Sequence, residues 1–276
     1  MEEIGIIGFG EIGKALNTIY NKNNYVTKIN DIKRKNNDDL TNCKFVNICI
    51  PFHNYDFFFE SLTNLNLNKN AIIIIHSTIA LETINKLQKH FENVLISSPV
   101  RGIHPNLVDG LLNFDKYIGL SDKYVNDDTV INKLINHFNS LQINTVICKS
   151  GESELAKIMS TTLYGMMISA VEDIGLICDH HGLDFDIVYT QWQKNYNITY
   201  EELGKSNVQR PILHRIPNKQ KVIGGHCVTI NSVILKDIEP RNVTNPMADF
   251  VLRYSNEKSR VHNSKKDGDD NDSRFN

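Results

Sequence analysis

A cysteine behind two glycines is the first residue of this sequence whose type and position suit covalent chemistry. Cys227 ends the run Gly224, Gly225, His226, Cys227. Glycines let the backbone approach a ligand closely and leave its N–H groups unobstructed. A thiolate in such a loop can attack an aldehyde to form a thiohemiacetal. Loss of hydride from that adduct gives a thioester, which water cleaves. The alternative is a small buried cysteine without a chemical role.

A lysine near the start of a long helical pattern is the second candidate. Lys157 and Thr161 lie four residues apart, which puts them on one helix face, and Tyr164 follows about a turn further along. In a helix that follows a nucleotide-binding unit, the Lys157 amine can move a proton as hydride leaves the same carbon. The alternative is an ordinary surface lysine.

A glycine-rich turn near the beginning of the chain predicts the hydride acceptor. Ile4 to Ile7 reads as a short buried strand, and apolar residues then recur at helical spacing as far as Ile19. Between them, the first glycine makes the tight turn and the second lets the backbone approach a pyrophosphate. The third lets helix and strand pack closely, with the helix N-terminus facing the anion. The motif consists of Gly8, Phe9, Gly10, Glu11, Ile12 and Gly13.

An acidic residue after the next predicted strand indicates which dinucleotide to expect. The strand Tyr25 to Asn30 ends at Asp31, about twenty residues beyond the glycines, where a carboxylate accepts from a ribose 2′-hydroxyl. Asp31 favours NAD over NADP because a carboxylate repels a 2′-phosphate. Lys33 and Arg34, directly beyond it, oppose that preference.

The elements that must position these residues alternate between strand and helix as far as Ser150. Ala71 to Ile75 is apolar throughout, as expected of a parallel strand covered on both faces. The alternation is typical of an α/β fold with a Rossmann-type doubly wound parallel sheet. The other predicted strands are Phe45 to Ile50, Val94 to Ser97, Tyr117 to Leu120 and Thr145 to Cys148, and the predicted helices are Asn54 to Leu65, Leu81 to His90 and Val130 to Leu141.

Beyond Ser150 the pattern predicts a mainly α-helical domain built on one long helix. From Glu152 to about His181 there is no proline and apolar residues keep helical period, so the helix would span roughly 45 Å and suits a homodimer interface. Asp184 predicts the cap of a next helix, Phe185 to Gln193, and residues 194–218 read as irregular. We therefore expect an NAD-binding Rossmann domain at 1–150, a helical dimerisation and substrate domain at 151–250, and a disordered polar tail at 251–276.

Composition excludes several classes of protein. The formal net charge of −2 gives no electrostatic case for binding nucleic acid or an anionic membrane. The five cysteines form no C-x-x-C pair, which argues for a reducing, cytoplasmic compartment and against a disulfide framework or a metal site. The first strand begins too near the initiator for a targeting peptide, and no apolar run reaches membrane-spanning length. We expect a small-molecule substrate and no nucleic-acid, membrane or metal partner.

Four stretches, in order, resemble the UDP-glucose/GDP-mannose dehydrogenase family of nucleotide-sugar dehydrogenases. The glycine turn with Asp31 resembles the family's NAD site. Ser77 to Thr83 resembles its Ser-Thr segment beside the nicotinamide, Glu154 to Lys157 resembles the start of its active-site helix, and Gly224 to Cys227 matches its catalytic cysteine motif. The resemblance spans residues 1 to about 236. The expected cofactor contacts then also include Pro51, Ser77 and Thr78.

The resemblance implies NAD-dependent oxidation of a hydroxyl on a sugar or nucleotide sugar, with Lys157 and Cys227 in the active site. Where the family has a glutamate, an asparagine and an aspartate, this sequence has Val100, Thr161 and Asn231. The family's C-terminal domain, which closes over the nucleotide, has no counterpart in this sequence. The substrate and the route of acid release therefore stay open.

Other side chains are candidates for holding a substrate. Arg210 suits a phosphate or carboxylate, and Tyr196 and Tyr200 can line the same pocket. The alternative is a packed, tyrosine-rich loop. His76 and His104 lie in loops that we expect to border the cofactor cleft.

Three functions follow from these residues. The first is a dehydrogenase acting on CH–OH groups, with Lys157 assisting proton transfer and Cys227 trapping the aldehyde. The second is a two-electron dehydrogenase of the β-hydroxyacid type, a related group that also places a lysine on this helix. The third is a binding or regulatory protein that retains NAD affinity without turnover.

Overall fold

The computed structural model describes residues 2–102, 106–217, 223, 226–240, 242–243 and 246–255. The chain divides into two compact units, Met1–Lys157 and Ile158–Asn276. The predictions for His104, Gly224 and Gly225, and for the tail beyond Ser255, lie outside the described residues.

The first unit is built on a seven-stranded sheet in the order β2-β1-β3-β4-β5-β6-β7. The strands are β1 (Glu3–Ile7), β2 (Val26–Asn30), β3 (Phe45–Ile48), β4 (Ile72–Ile75), β5 (Val94–Ser97), β6 (Lys116–Leu120) and β7 (Thr145–Lys149). The first five strands run parallel. The strand order reverses beside β1, which lies between β2 and β3. The predicted Rossmann-type sheet is therefore confirmed.

Helices cover both faces of the sheet because alternate strand residues point to opposite sides. In β4, Ile72 and Ile74 join one apolar cluster, and Ile73 and Ile75 join the other. The helices of the first unit are α1 (Glu11–Lys22), α2 (Tyr55–Thr63), α3 (Thr83–Gln88), α4 (Leu107–Asn113) and α5 (Asp128–Asn139). Helix α4, which is short and packs against α1, was not predicted from the sequence.

The last two strands depart from a fully parallel sheet. β6 pairs with β5 in antiparallel register, Ile96 opposite Leu120, and β7 then runs parallel to β6. A parallel strand would require a crossover back to the opposite edge of the sheet. In the connection from Ser98 to Asp115, the described residues form one helix, the seven-residue α4, and β6 starts at the edge where β5 ends.

The second unit is mainly helical. The predicted long helix is confirmed as α6 (Ser150–His181), and its residues up to Lys157 belong to the first unit. A π-helical turn (Asp186–Gln191) leads directly into α7 (Trp192–Glu202), so the interpretation of residues 194–202 as irregular was wrong. Two further helices are α8 (His226–Ile238) and α9 (Met247–Leu252). Val251 and Leu252 are buried, so the predicted tail does not begin at residue 251.

A buried ion pair fixes the segment after α7 onto α6. Arg215 donates to Glu172 Oε1 at 3.1 Å and to Asp179 Oδ2 at 2.7 Å, and the Ile216 amide donates to Glu172 Oε2 at 3.0 Å. Glu172 is fully buried, so the guanidinium and the Ile216 amide offset part of the cost of burying its charge. A side chain at Gly175 would collide with the guanidinium of Arg215, whose Nε lies 2.2 Å from where the Cβ would be.

The helix α6 is also long and apolar enough, by length and composition, to cross a membrane. The core helices of soluble proteins meet the same criterion. Glu172 and Glu154 are buried on α6, and both have partners within the protein. Such partnered charges are typical of a helix that packs inside a folded unit.

A chain of buried hydrogen bonds crosses the interior of the first unit. The Tyr20 hydroxyl donates to Asn47 Oδ1 at 3.3 Å and lies 2.8 Å from Nε2 of His137. Nε2 of His76 lies 2.8 Å from the same Asn47 oxygen, and Asn47 Nδ2 donates to the Gly5 carbonyl at 3.1 Å. Burial lowers the pKa of both imidazoles, so both rings are neutral near neutral pH. The chain joins α5 and α1 to β3 and the end of β4.

Lys116, the first residue of β6, is a buried amine in the same interior. Its side chain is enclosed, and Nζ donates to the carbonyls of Ser98 at 2.7 Å and Pro99 at 3.4 Å. Burial lowers the pKa of Lys116 to about 7. The amine therefore ties the start of β6 to the segment that follows β5.

Lys116 predicts a pH dependence of stability. Between its lowered pKa of about 7 and the ordinary lysine value of 10.5, the unfolded chain binds a proton that the folded protein does not. The free energy of unfolding should therefore rise with pH across that window, and Lys116→Met should lose this rise. Urea unfolding of both proteins at about pH 6.5 and about pH 9.5 measures the difference.

The exposed Lys149 of β7 provides a control for this experiment. Lys149→Met should retain the wild-type pH dependence. If Lys116→Met has the same pH dependence as the wild type, the Lys116 amine keeps its proton in the folded state and the interpretation is wrong.

Candidate functional site

The glycine turn lies at the switch point of the sheet, where β2 and β3 flank β1. Gly8 follows β1 with φ of 88°, a left-handed conformation that favours glycine. A Cβ at Gly13 would lie 2.1 Å from the Gly8 carbonyl oxygen, so only glycine permits this approach of α1 to β1. Two of the three glycines are thus required by the packing of the turn itself.

The third glycine, Gly10, is different because nothing packs against it. No atom of the described residues lies within 4 Å of where its Cβ would be. Gly10 is also the N-cap of α1, and no side chain caps the helix there. The N–H groups at Glu11 and Ile12 therefore begin a helix whose positive end faces open space. This geometry fits the pyrophosphate of a dinucleotide.

Asp31 stands at the end of β2, as predicted. Its carboxylate accepts from the Phe9 amide at 2.5 Å and from the Lys33 amide at 2.7 Å. These amides, that of Phe9 first, lower the pKa of Asp31 and keep it ionised. A carboxylate offers about four lone-pair sites, so two bonds leave capacity for ribose hydroxyls. The Phe9 amide binds Asp31, which links the glycine turn to the end of β2.

The segment after β4 is tied to its neighbours by two side chains. The Ser77 hydroxyl donates to the carbonyl of Ile50, directly before the exposed Pro51, and Thr78 is half-buried. His76 does not border an open cleft as expected, because its ring is buried and its Nε2 is hydrogen-bonded to Asn47 Oδ1. His76 therefore cannot orient a substrate through direct contact.

Glu154 holds the same segment from the other side, a role that the sequence analysis missed. Its two carboxylate oxygens accept from the amides of Glu82 at 2.7 Å and Ile84 at 2.9 Å. These amides lie at the start of α3, a few residues after Thr78. Burial raises the pKa of Glu154 to about 7. The only signal in the sequence was that Glu154 opens the stretch that ends in Lys157.

Val100 lies where the resembling family has a glutamate, and its surroundings are apolar. It is buried in the cluster that contains Leu107 and Leu111. The amine of Lys116 donates to the carbonyls of Ser98 and Pro99, the two residues just before Val100. A lysine at the start of an apolar strand was the available signal for this amine.

The candidate catalytic residues lie on α6 and α8. Lys157 is half-buried, Cys227 is an exposed cysteine in no disulfide in the first turn of α8, and both take part in contacts within the protein. Thr161 and Asn231 each follow one of them by one helical turn, and Asn231 Nδ2 donates to Thr161 Oγ1 at 2.7 Å. The two substituted positions therefore contact each other. The convergence of Lys157 and Cys227 on one cofactor ring stays a prediction.

The structure brings together the residues proposed to hold a substrate on α7. The Arg210 guanidinium lies 3.9 Å from the centre of the Tyr196 ring, which lies 4.6 Å from that of Tyr200. Asn197 fixes the backbone of Arg210 through two hydrogen bonds of 2.8 Å. Within the part of the chain that the structure describes, no group of three His, Cys, Asp or Glu side chains could hold a metal ion.

Comparison with known proteins rests on structure, because no family profile and no curated protein matches this sequence. A UDP-D-ManNAc dehydrogenase from Pyrococcus horikoshii superposes with a TM-score of 0.70 at 15% identity, over 95% of this chain and 70% of that chain. A UDP-glucose dehydrogenase from Pyrobaculum islandicum gives 0.66 at 12% identity, over 94% and 69%.

A shorter enzyme matches over nearly its whole length. The 3-hydroxyisobutyrate dehydrogenase of Mycobacterium tuberculosis superposes with a TM-score of 0.63 at 13% identity, over 92% of each chain. At such low identity the likeness shows the fold. The chain thus has the fold of sugar-nucleotide and hydroxyacid dehydrogenases: a Rossmann-like sheet followed by a long helix.

Proposed function

We propose that this protein is an NAD-dependent oxidoreductase that oxidises a hydroxyl group of a sugar or sugar-like substrate. The observation that carries the proposal is the space in front of Gly10, where an uncapped helix start meets the switch point of the sheet. The ionised Asp31 beside it favours NAD over NADP. NAD supplies the hydride acceptor when bound. The structural likeness to UDP-sugar dehydrogenases supports oxidation of a CH–OH group.

In this proposal Lys157 and Cys227 act in different steps of the reaction. Lys157 takes the hydroxyl proton as the carbon loses hydride, which gives an aldehyde. The Cys227 thiol adds to that aldehyde, the thiohemiacetal loses a second hydride, and water cleaves the thioester to an acid and the free thiol. The hydrogen bond between Thr161 and Asn231 supports the assignment, because it joins α6 and α8 one turn after these residues. A free thiol also suits a reducing, cytoplasmic compartment.

The second candidate is a two-electron β-hydroxyacid dehydrogenase. Two observations favour it: the match with 3-hydroxyisobutyrate dehydrogenase over 92% of each chain, and the apolar burial of Val100, where a carboxylate for thioester hydrolysis would be needed. In this reaction Lys157 still moves the proton, and Cys227 has no chemical role. Arg210, stacked on Tyr196, would then bind a substrate carboxylate, and in the sugar reaction a phosphate.

Gly10→Ala tests the cofactor site. Gly10 has φ of −73° and ψ of −156°, an extended backbone near the border of the region open to alanine, and its Cβ would meet no described atom. The free energy of unfolding should therefore change by no more than about 1 kcal/mol. The methyl group occupies the space assigned to the pyrophosphate, so NAD should bind at least about tenfold more weakly. Calorimetric titration with NAD measures this. Unchanged affinity would remove the glycine turn as the cofactor site.

Cys227→Ser and Lys157→Met separate the candidate reactions. For the wild type with a UDP-sugar panel, we expect two NADH per substrate, and Cys227→Ser should release at most one. Lys157→Met should lower kcat by roughly 10²–10⁴-fold in either reaction. Cys148→Ser, a half-buried cysteine of β7, is the matched control and should behave as wild type.

The stoichiometry decides between the candidates. One NADH per 3-hydroxy acid, independent of Cys227, supports the β-hydroxyacid reaction. Acid formed from a sugar by Cys227→Ser would contradict the covalent step. If NAD binds and no NADH forms with either the UDP-sugars or a panel of 3-hydroxy acids, both proposed reactions are wrong and the protein binds NAD without turnover.

We also propose a homodimer formed through the second unit. Its helices expose large apolar side chains that a second copy would cover. They are Leu163, Tyr164, Leu176, Ile177, Ile187 and Trp192. Sedimentation equilibrium should give twice the chain mass of 31.5 kDa, and Ile177→Asp should give the monomer. Thr199→Asp, on an exposed face of α7, is the control, and a monomeric wild type would contradict the proposal.

A further inference from the structure

A cavity of about 640 Å³ lies in the first unit, at the edge of the sheet opposite the glycine turn. Tyr25 and Lys44 line it directly before β2 and β3, and Ile72 lines it at the start of β4. Gly8 and Gly10 follow the carboxyl end of β1 and Asp31 that of β2, at the opposite edge of the sheet. None of the residues assigned above to cofactor or substrate lines this cavity, which we call the amino-edge cavity. Its volume is typical of small-molecule sites.

The ring of His137 lines the amino-edge cavity. His137 is 5% exposed, and its ring stacks on Phe45 with centroids 3.8 Å apart. The Tyr20 hydroxyl has one proton, which goes to Asn47 Oδ1, an atom that can only accept. Tyr20 must therefore accept from Nε2–H of His137, so Nδ1 of the neutral ring is an acceptor. No described residue hydrogen-bonds this nitrogen.

The rim of the cavity supplies positive charge and amide groups. Lys44 and Lys133 line it from two different elements, and Asn136 lies beside Lys133 on α5. Lysine ammonium groups suit phosphate as point charges. Glu2 also lines the cavity, and its Oε1 lies 3.7 Å from Lys44 Nζ, which offsets part of the charge. The lining thus combines two cations, one anion and the imidazole of His137.

We propose that the amino-edge cavity binds a small phosphate monoester that carries a hydroxyl group. The phosphate contacts Lys44 and Lys133, and the hydroxyl donates to Nδ1 of His137. The chain from His137 through Tyr20 to Asn47 holds the ring in place and fixes which nitrogen accepts. This site does not depend on the proposed oxidation, since it lies at the opposite edge of the sheet from the glycine turn.

Calorimetric titration of the full chain with glycerol 3-phosphate tests the proposal. NAD is present at saturation, so that phosphate cannot occupy the glycine turn. The paired probe is n-propyl phosphate, which lacks the hydroxyls, and it should bind at least about tenfold more weakly. Lys44→Gln and Lys133→Gln should each lower the affinity for glycerol 3-phosphate by about tenfold. Lys194→Gln, an exposed lysine of the second unit, should not.

His137→Phe keeps the stacking on Phe45 and removes the acceptor, so the two probes should then bind equally weakly. Its folding is checked by urea unfolding, and the lysine variants test the site independently if it fails to fold. The proposal is overturned if the wild type does not bind glycerol 3-phosphate or binds both probes equally. It is also overturned if both lysine variants still bind glycerol 3-phosphate as the wild type does. Binding seen only without NAD would assign the phosphate to the glycine turn and also overturn it.

Discussion

Helix α1 can begin where it does only because Gly13 has no side chain. A Cβ there would lie 2.1 Å from the Gly8 carbonyl oxygen, so any other residue would push the helix off β1. The close approach aims the start of α1 at the switch point of the sheet, where its first N–H groups face the open space at Gly10. The cofactor proposal and the orientation of Asp31 depend on this contact.

The interior of the first unit holds an unusual set of polar groups for a sheet covered on both faces. Asn47, His76, His137 and Lys116 are buried among isoleucines, and each has a hydrogen-bond partner. Burying such groups costs free energy unless they are paired, so the pairing restricts which arrangements of the strands and α1 are stable. Because Tyr20 and His76 both donate to one Asn47 oxygen, this chain fixes orientation and does not conduct protons.

The surroundings of Val100, Thr161 and Asn231 show how these departures from the family pattern fit the structure. Val100 packs in an apolar cluster, so the surroundings of this position match its apolar side chain. Thr161 and Asn231 replace an asparagine and an aspartate, and they bind each other at 2.7 Å. The substituted residues are thus mutually compatible. An amide and a hydroxyl can hold two helices together, but neither exchanges a proton as readily as a carboxylate does.

The sequence by itself determined the glycine turn, Asp31 at the end of β2, the strand alternation and the long helix α6. These are local features, set by residue types and periodicity over short stretches. It could not show that β6 runs antiparallel to β5, that residues 194–202 are helical, or that α4 exists, because short elements depend on what they pack against. Only the tertiary structure placed Glu154 on the start of α3, buried the ring of His76 and enclosed the amine of Lys116. The physical reason is that burial and hydrogen-bond partners arise between residues far apart in sequence, which no local pattern records.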